Sequence, residues 1–513
     1  MGEPHATTAI VARQNLPAAQ GETGIVDAVA GEPKPDGDPE PSWRGRPRLG
    51  GARRHRTPLL AIGGALLSAI LLTMQPIPAQ AQFKAASPNE PDQGPLYRFG
   101  QSLLEKGILI RGNYIGEFAA NPSGGDRQGD RYAGQADLGL DLDLQRILAV
   151  PSAAVHLTVS QRHGRSLARD DIGNTTSVQE IFGGGQTYRL SELSYDQALF
   201  DDKVEYLVGR ITANTDFAQS PIYCNFQSNS TCGNPAFFGR DSNFVFFPVP
   251  SWGGRVTLKP FTPRVYLQVG AYDVDPSQAQ RNHHGFDWGT GRSTGALIPL
   301  ELGYQTTFRS DPMPRHYKIG GFWDDSDYTD PYFDDSGRAA AITGAPFKTR
   351  RGRTGIYALF DQMIWRPDPT RERGLILFGG VAAGTSAHQV ENWFAQIGLF
   401  QQGTFQNRDE DTIGFVFTDQ HFSNAALDSV AAARTTVGGS GRPPADEYMM
   451  ELNYGAQVTP WLRVVPNLQW VVNPDQFGRP TRTTNISDAF VIGIKFAVGL
   501  PQLAGMPTQK YAH

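Results

Sequence analysis

One stretch of this 513-residue chain has the form of a hydrolase nucleophile, Gly291-Arg292-Ser293-Thr294-Gly295. A Gly-x-Ser-x-Gly elbow works when the serine sits on a sharp strand-to-helix turn that lifts its hydroxyl clear of the sheet. Here the motif runs from a loop into a strand, in a chain of 57 glycines where chance matches are common. No His-Glu-x-x-His helix appears, and the remaining serines and histidines are scattered. A second set of residues suits binding rather than bond-breaking. Polar side chains recur at every other position as Arg111, Asn113 and Glu117; Glu192 and Asp196; Arg255; Glu301 and Gln305; Glu447, Glu451 and Asn453; and Arg463, Asn467 and Gln469. Rows of donors and acceptors of both charges suit a wet face that balances its own charge and can touch a polar solute weakly.

Period two is the signature of β-strands, with one face apolar and the other wet. Strands are expected near 108–119, 132–145, 153–163, 188–199, 203–211, 252–260, 264–274, 295–308, 315–324, 353–365, 374–385, 391–401, 410–419, 445–458, 461–473 and 487–499. The second is the cleanest: Ala136, Leu138, Leu140, Leu142 and Leu144 oppose Gln135, Asp137, Asp141 and Asp143. Tight links such as 200–203, 260–263 and Thr459-Pro460 take turns with long loops at 212–251, 275–294, 325–352 and 420–444, with the short link 386–390 as an exception. Short turns on one rim and long loops on the other describe an outer-membrane barrel. Trp252, Tyr304, Trp323, Trp365, Trp393 and Trp461 near strand ends are candidates for its interfacial girdles.

A secretion signal agrees with this. Arg53, Arg54 and Arg56 precede an apolar run from Leu59 to Thr73, and Ala79-Gln80-Ala81 supplies small residues for cleavage. The run is short of the roughly 20 residues of a membrane helix. The expected plan is an extension over 1–52, a signal peptide over 53–81, a periplasmic segment with a short helix over 82–107, an all-β antiparallel barrel over 108–500 and a tail over 501–513. The mature chain then starts near Gln82. Leu96, Phe99, Leu103 and Leu104, within Pro95 to Lys106, are spaced for an amphipathic helix, with packing favoured over gating. There is no basic stripe for nucleic acid and no cofactor or metal site is expected. The only cysteines, Cys224 and Cys232, favour a disulfide in an exported chain. The run Asp324, Asp325, Asp327, Asp330, Asp334 and Asp335 lacks calcium-loop spacing and is expected in a solvated outer loop.

The segment Glu451 to Arg463, with its Thr459-Pro460-Trp461-Leu462 hairpin, followed by Pro466 to Trp470 and Asn473-Pro474, closely resembles the carbohydrate-selective porins (OprB-like) of Gram-negative outer membranes. Val208-Gly209-Arg210 with Asn214 and Asp216, the Cys224/Cys232 loop, Pro250 to Arg255 and Gly355 to Gln362 agree, so the resemblance runs from near Pro95 to near Leu500. It implies sixteen strands around a passive channel for carbohydrates, monosaccharides such as glucose among them, in a monomer or a homotrimer. A barrel commonly finishes on an aromatic residue of its last strand, but here Pro501 to His513 continue, leaving Phe496 or Leu500 at that position. Glu451 with Asn467 or Gln469, across the hairpin, is the foremost candidate for sugar contact. The 212–251 loop has two readings, folded inward to narrow the pore or staying outside. Rival readings are a non-selective porin, a barrel enzyme and a soluble propeller.

Overall fold

A sheet crosses hydrocarbon only if every backbone N–H and C=O is paired within the protein, which for strands means a closed ring. The computed structural model, which describes residues 94–506, has that form. The extension 1–52, the signal segment 53–81, the start near Gln82 and the tail beyond residue 506 lie outside the described residues.

A helix, α1 (Tyr97–Glu105), leads into β1 (Ile108–Ser123) and β2 (Gly129–Asp143). A short helix, α2 (Leu144–Leu148), precedes β3 (Ala153–Gly164), β4 (Tyr188–Leu199) and β5 (Val204–Ile211), and α3 (Phe237–Asp241) lies in the loop before β6 (Ser251–Leu258). Then come β7 (Val265–Val274), β8 (Gly295–Gln305) and β9 (Arg315–Asp334), and α4 (Ala340–Thr343) before β10 (Phe347–Trp365). The chain continues through β11 (Gly374–Gly384), β12 (Glu391–Gln402), β13 (Thr412–Phe422), α5 (Asn424–Thr435), β14 (Asp446–Thr459), β15 (Leu462–Val472), β16 (Ala489–Gly499) and α6 (Leu500–Leu503). Each strand pairs antiparallel with its neighbours in sequence, and β1 pairs with β16 from Asn113↔Gly499 to Ser123↔Phe490, which shuts the ring.

All sixteen expected strands form, with corrected ends. β2 stops at Asp143 because that side chain accepts from Arg146 N (3.1 Å) and caps α2. The larger correction is at 325–352, which is not a loop: β9 and β10 extend together beyond the neighbouring strands, leaving only 335–346 as their link. Its acidic run is correspondingly not all solvated. Asp324 is buried against Arg353 Nε (3.2 Å), Asp330 pairs with Arg350, and Asp334 Oδ1 accepts from the backbone N–H groups of Ser336 and Arg338, both at 2.9 Å. Each acid has a cation or turn donors to offset its lost hydration.

Leu138, Val208, Leu300, Ile319, Ile356, Val381, Ile397, Leu452, Leu468 and Ile492 stand exposed on the outer wall, as lipid requires. Trp252, Trp323, Trp365 and Trp393 are also exposed, while Tyr304 stacks on Tyr317 near the short-turn rim. The interior is filled from the opposite rim. The loop spanning 212–250, the third on that rim and called loop 3 below, folds inward and carries the Cys224–Cys232 disulfide. Its Phe226, Phe237, Phe238, Phe244, Phe246 and Phe247 form a buried cluster with Phe322, Tyr357, Phe378 and Phe394 on the inner faces of β9 to β12. Glycine makes room for these rings: a Cβ at Gly320 would lie 2.3 Å from the Tyr357 ring, and one at Gly398 would lie 2.3 Å from that of Phe378.

Candidate functional site

Alternation sends Arg111 and Asn113 of β1, Asp141 of β2, His156 and Thr158 of β3, and Glu192 and Asp196 of β4 to the inner wall, where strand register makes them neighbours. Arg111 Nε donates to Asp141 Oδ2 (2.7 Å) and Arg111 Nη2 to Thr158 Oγ1 (3.2 Å), with Glu192 Oε2 3.7 Å from the same guanidinium. Thr158 in turn donates to Glu192 (3.0 Å). His156 bridges two carboxylates, Asp141 at 2.7 Å from Nδ1 and Asp196 at 2.6 Å from Nε2. Asn113 lies directly opposite Asp137. The strip continues at Arg255 of β6, which donates to Thr257 Oγ1 (2.7 Å) and to Asp216 of loop 3 (3.0 Å) and lies 4.0 Å from Glu205. The Arg111 side chain keeps 15% of its surface exposed and Asp196 keeps 35%, so this strip is charged, braced and in part open. Gln305, at the short-turn end of β8 opposite His316, is also part-exposed.

The hairpin cluster is assembled as the alternation implies, with Glu451↔Gln469 and Asn453↔Asn467 directly paired. Loop 3 packs onto it. Glu451 accepts from Gln227 N (2.9 Å) and Ser228 N (2.8 Å) of loop 3, and Asn453 Nδ2 donates to Asn225 O (3.2 Å). Asn467 donates to Gln227 Oε1 (2.8 Å) and Gln469 to Val178 O (3.1 Å). Glu451 and Gln469 are 1% exposed and Asn453 and Asn467 3%. Loop backbone needs buried partners, and these side chains supply them in place of a solute.

Three more acids are engaged in the same way. Glu301 accepts from Ala218 N (2.9 Å), Tyr266 Oη (2.7 Å) and Tyr357 Oη (2.9 Å), Glu447 from Asp475 N (2.7 Å) and Asn174 Nδ2 (3.0 Å), and Glu117 from Ile181 N (3.3 Å), with Lys495 3.4 Å away. Arg463, near the short-turn rim, donates to Thr412 Oγ1 (2.6 Å) and Glu410 O (3.0 Å).

His156, Thr158, His316, Lys318 and Asp361 were not singled out by the sequence, although each follows from the parity of its strand. His156 shares a side with Thr158, Ser160 and Arg162, and that row alone was enough to mark an inward polar face. His316 Nδ1 lies 2.5 Å from Asp361, its direct partner across β9 and β10, and Lys318 lies 3.9 Å from Glu301, diagonal to it across β8 and β9. Ser293 stands in the loop entering β8 and donates to Gly295 O (3.2 Å), without the turn geometry of a nucleophile. Among the described residues no cluster is arranged to hold a metal.

The family model for carbohydrate-selective porins of the OprB family matches residues 127–500. Porin B of Pseudomonas aeruginosa is 33% identical over 407 residues, 77% of this chain and 87% of that protein. A putative porin, QuiX, of Acinetobacter baylyi is 27% identical over 77% of this chain and 89% of its own. Among solved structures, Pseudomonas putida OprB at high pH superposes with a TM-score of 0.70 at 31% identity, covering 78% of this chain and 96% of that one.

Proposed function

The chain belongs to the OprB family of carbohydrate-selective porins of the Gram-negative outer membrane, and from that premise we propose that monosaccharides cross it passively along the charged strip of β1 to β6. Its family is one of channels rather than enzymes. The observation that carries the choice of strip is the contrast in access: the Arg111, Asp196 and Arg255 side chains retain exposed surface, whereas Glu451, Asn467 and Gln469 are covered by loop backbone.

Arg111, Glu192 and Asp196 offer donors and acceptors within one neighbourhood. Their ion pairs fix the side chains before a sugar arrives, so little rotamer freedom is lost on contact. Each sugar hydrogen bond that replaces one to water nets about 0.5–1.5 kcal/mol, so two or three give the weak binding that transport needs.

Block of single-channel current by glucose tests the reading. Arg111→Ala and Glu192→Gln should each weaken block several-fold with the barrel intact. Unchanged block in both, with block lost on altering another wall, would place the passage elsewhere. We also place the mature N terminus near Gln82, which N-terminal mass spectrometry of outer-membrane material decides.

A further inference from the structure

The start of helix α1 lies beside α6, which sits on the outer side of the barrel wall. On β1 the even positions face outward, and a Cβ at Gly112 would lie 3.1 Å from Leu138, 61% exposed on the outer wall, and 3.4 Å from the Leu500 Cβ of α6. So α6 covers the outer face of β1. The start of α1 is tied to that same place: Leu96 N donates to Ala504 O (3.3 Å), and Gly94 and Gly505 pack backbone to backbone. Its end is held at the short-turn rim, where Arg146 Nη1 donates to Leu104 O (2.8 Å).

At helical spacing Leu96, Phe99, Gly100, Leu103 and Leu104 fall on one arc, and Arg98, Gln101 and Glu105 on the other. Gly100, at the centre of the apolar arc, is buried, while Phe99 is 51% and Leu96 41% exposed at its edge. Leu148 of α2 and Leu503 of α6, at the same rim, are exposed as well. Arg98 on α1 and Lys106 at its C-cap are exposed, and Arg146 is held at the helix end. These exposed apolar side chains share a rim with cations whose charge is complementary to phosphate.

We propose that α1 is an interfacial anchor: Phe99 and Leu96 enter the acyl region of the periplasmic leaflet while Arg98 and Lys106 contact the headgroups of anionic phospholipid. An amphipathic helix with cations on its polar side binds a membrane surface in this way. It needs no sugar in the pore, so it stands apart from the transport reading.

Site-directed spin labelling tests it, since the protein's only cysteines are joined in the disulfide. Phe99→Cys carries a nitroxide, with Leu138→Cys as the lipid reference and Gly291→Cys, in an open loop, as the aqueous one. Samples are refolded into phosphatidylglycerol or phosphatidylcholine vesicles and checked for heat-modifiable migration. The label at 99 should show the oxygen-over-nickel accessibility of 138, several-fold above that of 291. It should move toward the aqueous value in phosphatidylcholine and in the Arg98→Glu/Lys106→Glu double variant. Three outcomes overturn the proposal: accessibility like 291, depth indifferent to lipid charge and to the double variant, or line broadening that grows with protein density, which would make a second copy the occupant.

Discussion

The inner wall has two unlike halves. From β1 to β6 it carries cations and carboxylates in mutual contact, Arg111 with Asp141 and Glu192, His156 with Asp141 and Asp196, and Arg255 with Asp216. From β9 to β12 it carries Phe322, Tyr357, Phe378 and Phe394, buried beneath the rings of loop 3. The strand rule is the same in both, and what differs is the tenant. Where the wall is part-exposed its polar groups brace one another. Where it meets a folded loop it becomes a domain core turned inside out, and beyond it, on β14 and β15, Glu451, Asn453, Asn467 and Gln469 serve loop backbone.

The sharpest way to break this comparison is to empty the aromatic half. Phe378 is fully buried, with its ring centroid 5.7 Å from Phe226 and 6.1 Å from Tyr223. Phe378→Ala should cost about 3–5 kcal/mol, chiefly in the seating of loop 3, and raise open-channel conductance. Limited proteolysis within 212–250 reads the first effect and a planar bilayer the second. A variant with wild-type conductance and proteolysis would show that the ring cluster does not hold the loop.

Next in size is Glu451→Gln. It replaces a carboxylate accepting from Gln227 N and Ser228 N by a group with one acceptor oxygen, a loss of roughly 1.5–3 kcal/mol. The expected signature is a noisier, larger current with sugar block only secondarily affected. If block disappears while conductance stays put, Glu451 is a sugar ligand and the β14 wall shares the work with the charged strip.

Arg111→Ala should do the reverse. Conductance and thermal stability should change little, while sugar block falls and cation preference rises, because one guanidinium no longer balances Asp141 and Glu192. Reversal potentials in a salt gradient measure the latter.

The smallest effect belongs outside the membrane. In the loop between β3 and β4, burial opposes ionisation of Asp170, but hydrogen bonds from Arg165 and Arg169 outweigh it and hold the carboxyl below the usual carboxylate range. A lowered folded value means stabilisation present at neutral pH and lost as pH falls through it. Asp170→Asn should therefore cost at most about 1 kcal/mol near pH 7 and nothing measurable in strong acid, by protease susceptibility of 165–187 across pH.

Much of the wall was legible because lipid enforces period two. Leu138, Leu140 and Leu142 against Asp137, Asp141 and Asp143 separate the two faces, and the Thr459-Pro460 turn brings Glu451 near Asn467 or Gln469, with the register shift between Gln457 and Thr459 deciding for Gln469. What filled the wall was not legible in the same way. The loop-3 phenylalanines have no period, and nothing local says whether a ring meets another ring or water. Inward aromatics such as Phe378 and Phe394, in strands whose other faces are also apolar, were the available hint: a wet lumen has no use for them. The buried acids of β9 misled for a related reason, since Asp324 and Asp330 read as solvated until Arg353 and Arg350 are found opposite.

A ring of strands is a hoop, and a hoop yields most easily by flattening into an oval. Loop 3 leaves that hoop between β5 and β6 and is fastened across it, through Ser220 to Asp361 of β10, Asp241 to Val390 and Glu391 at the head of β12, and Gln227 to Glu451 of β14. It works as a set of spokes. Squeezing the wall along those directions would compress a packed aromatic core, so the softest shape fluctuations fall to the unspoked arc, and the bore on that side is where the width changes as the membrane around it flexes.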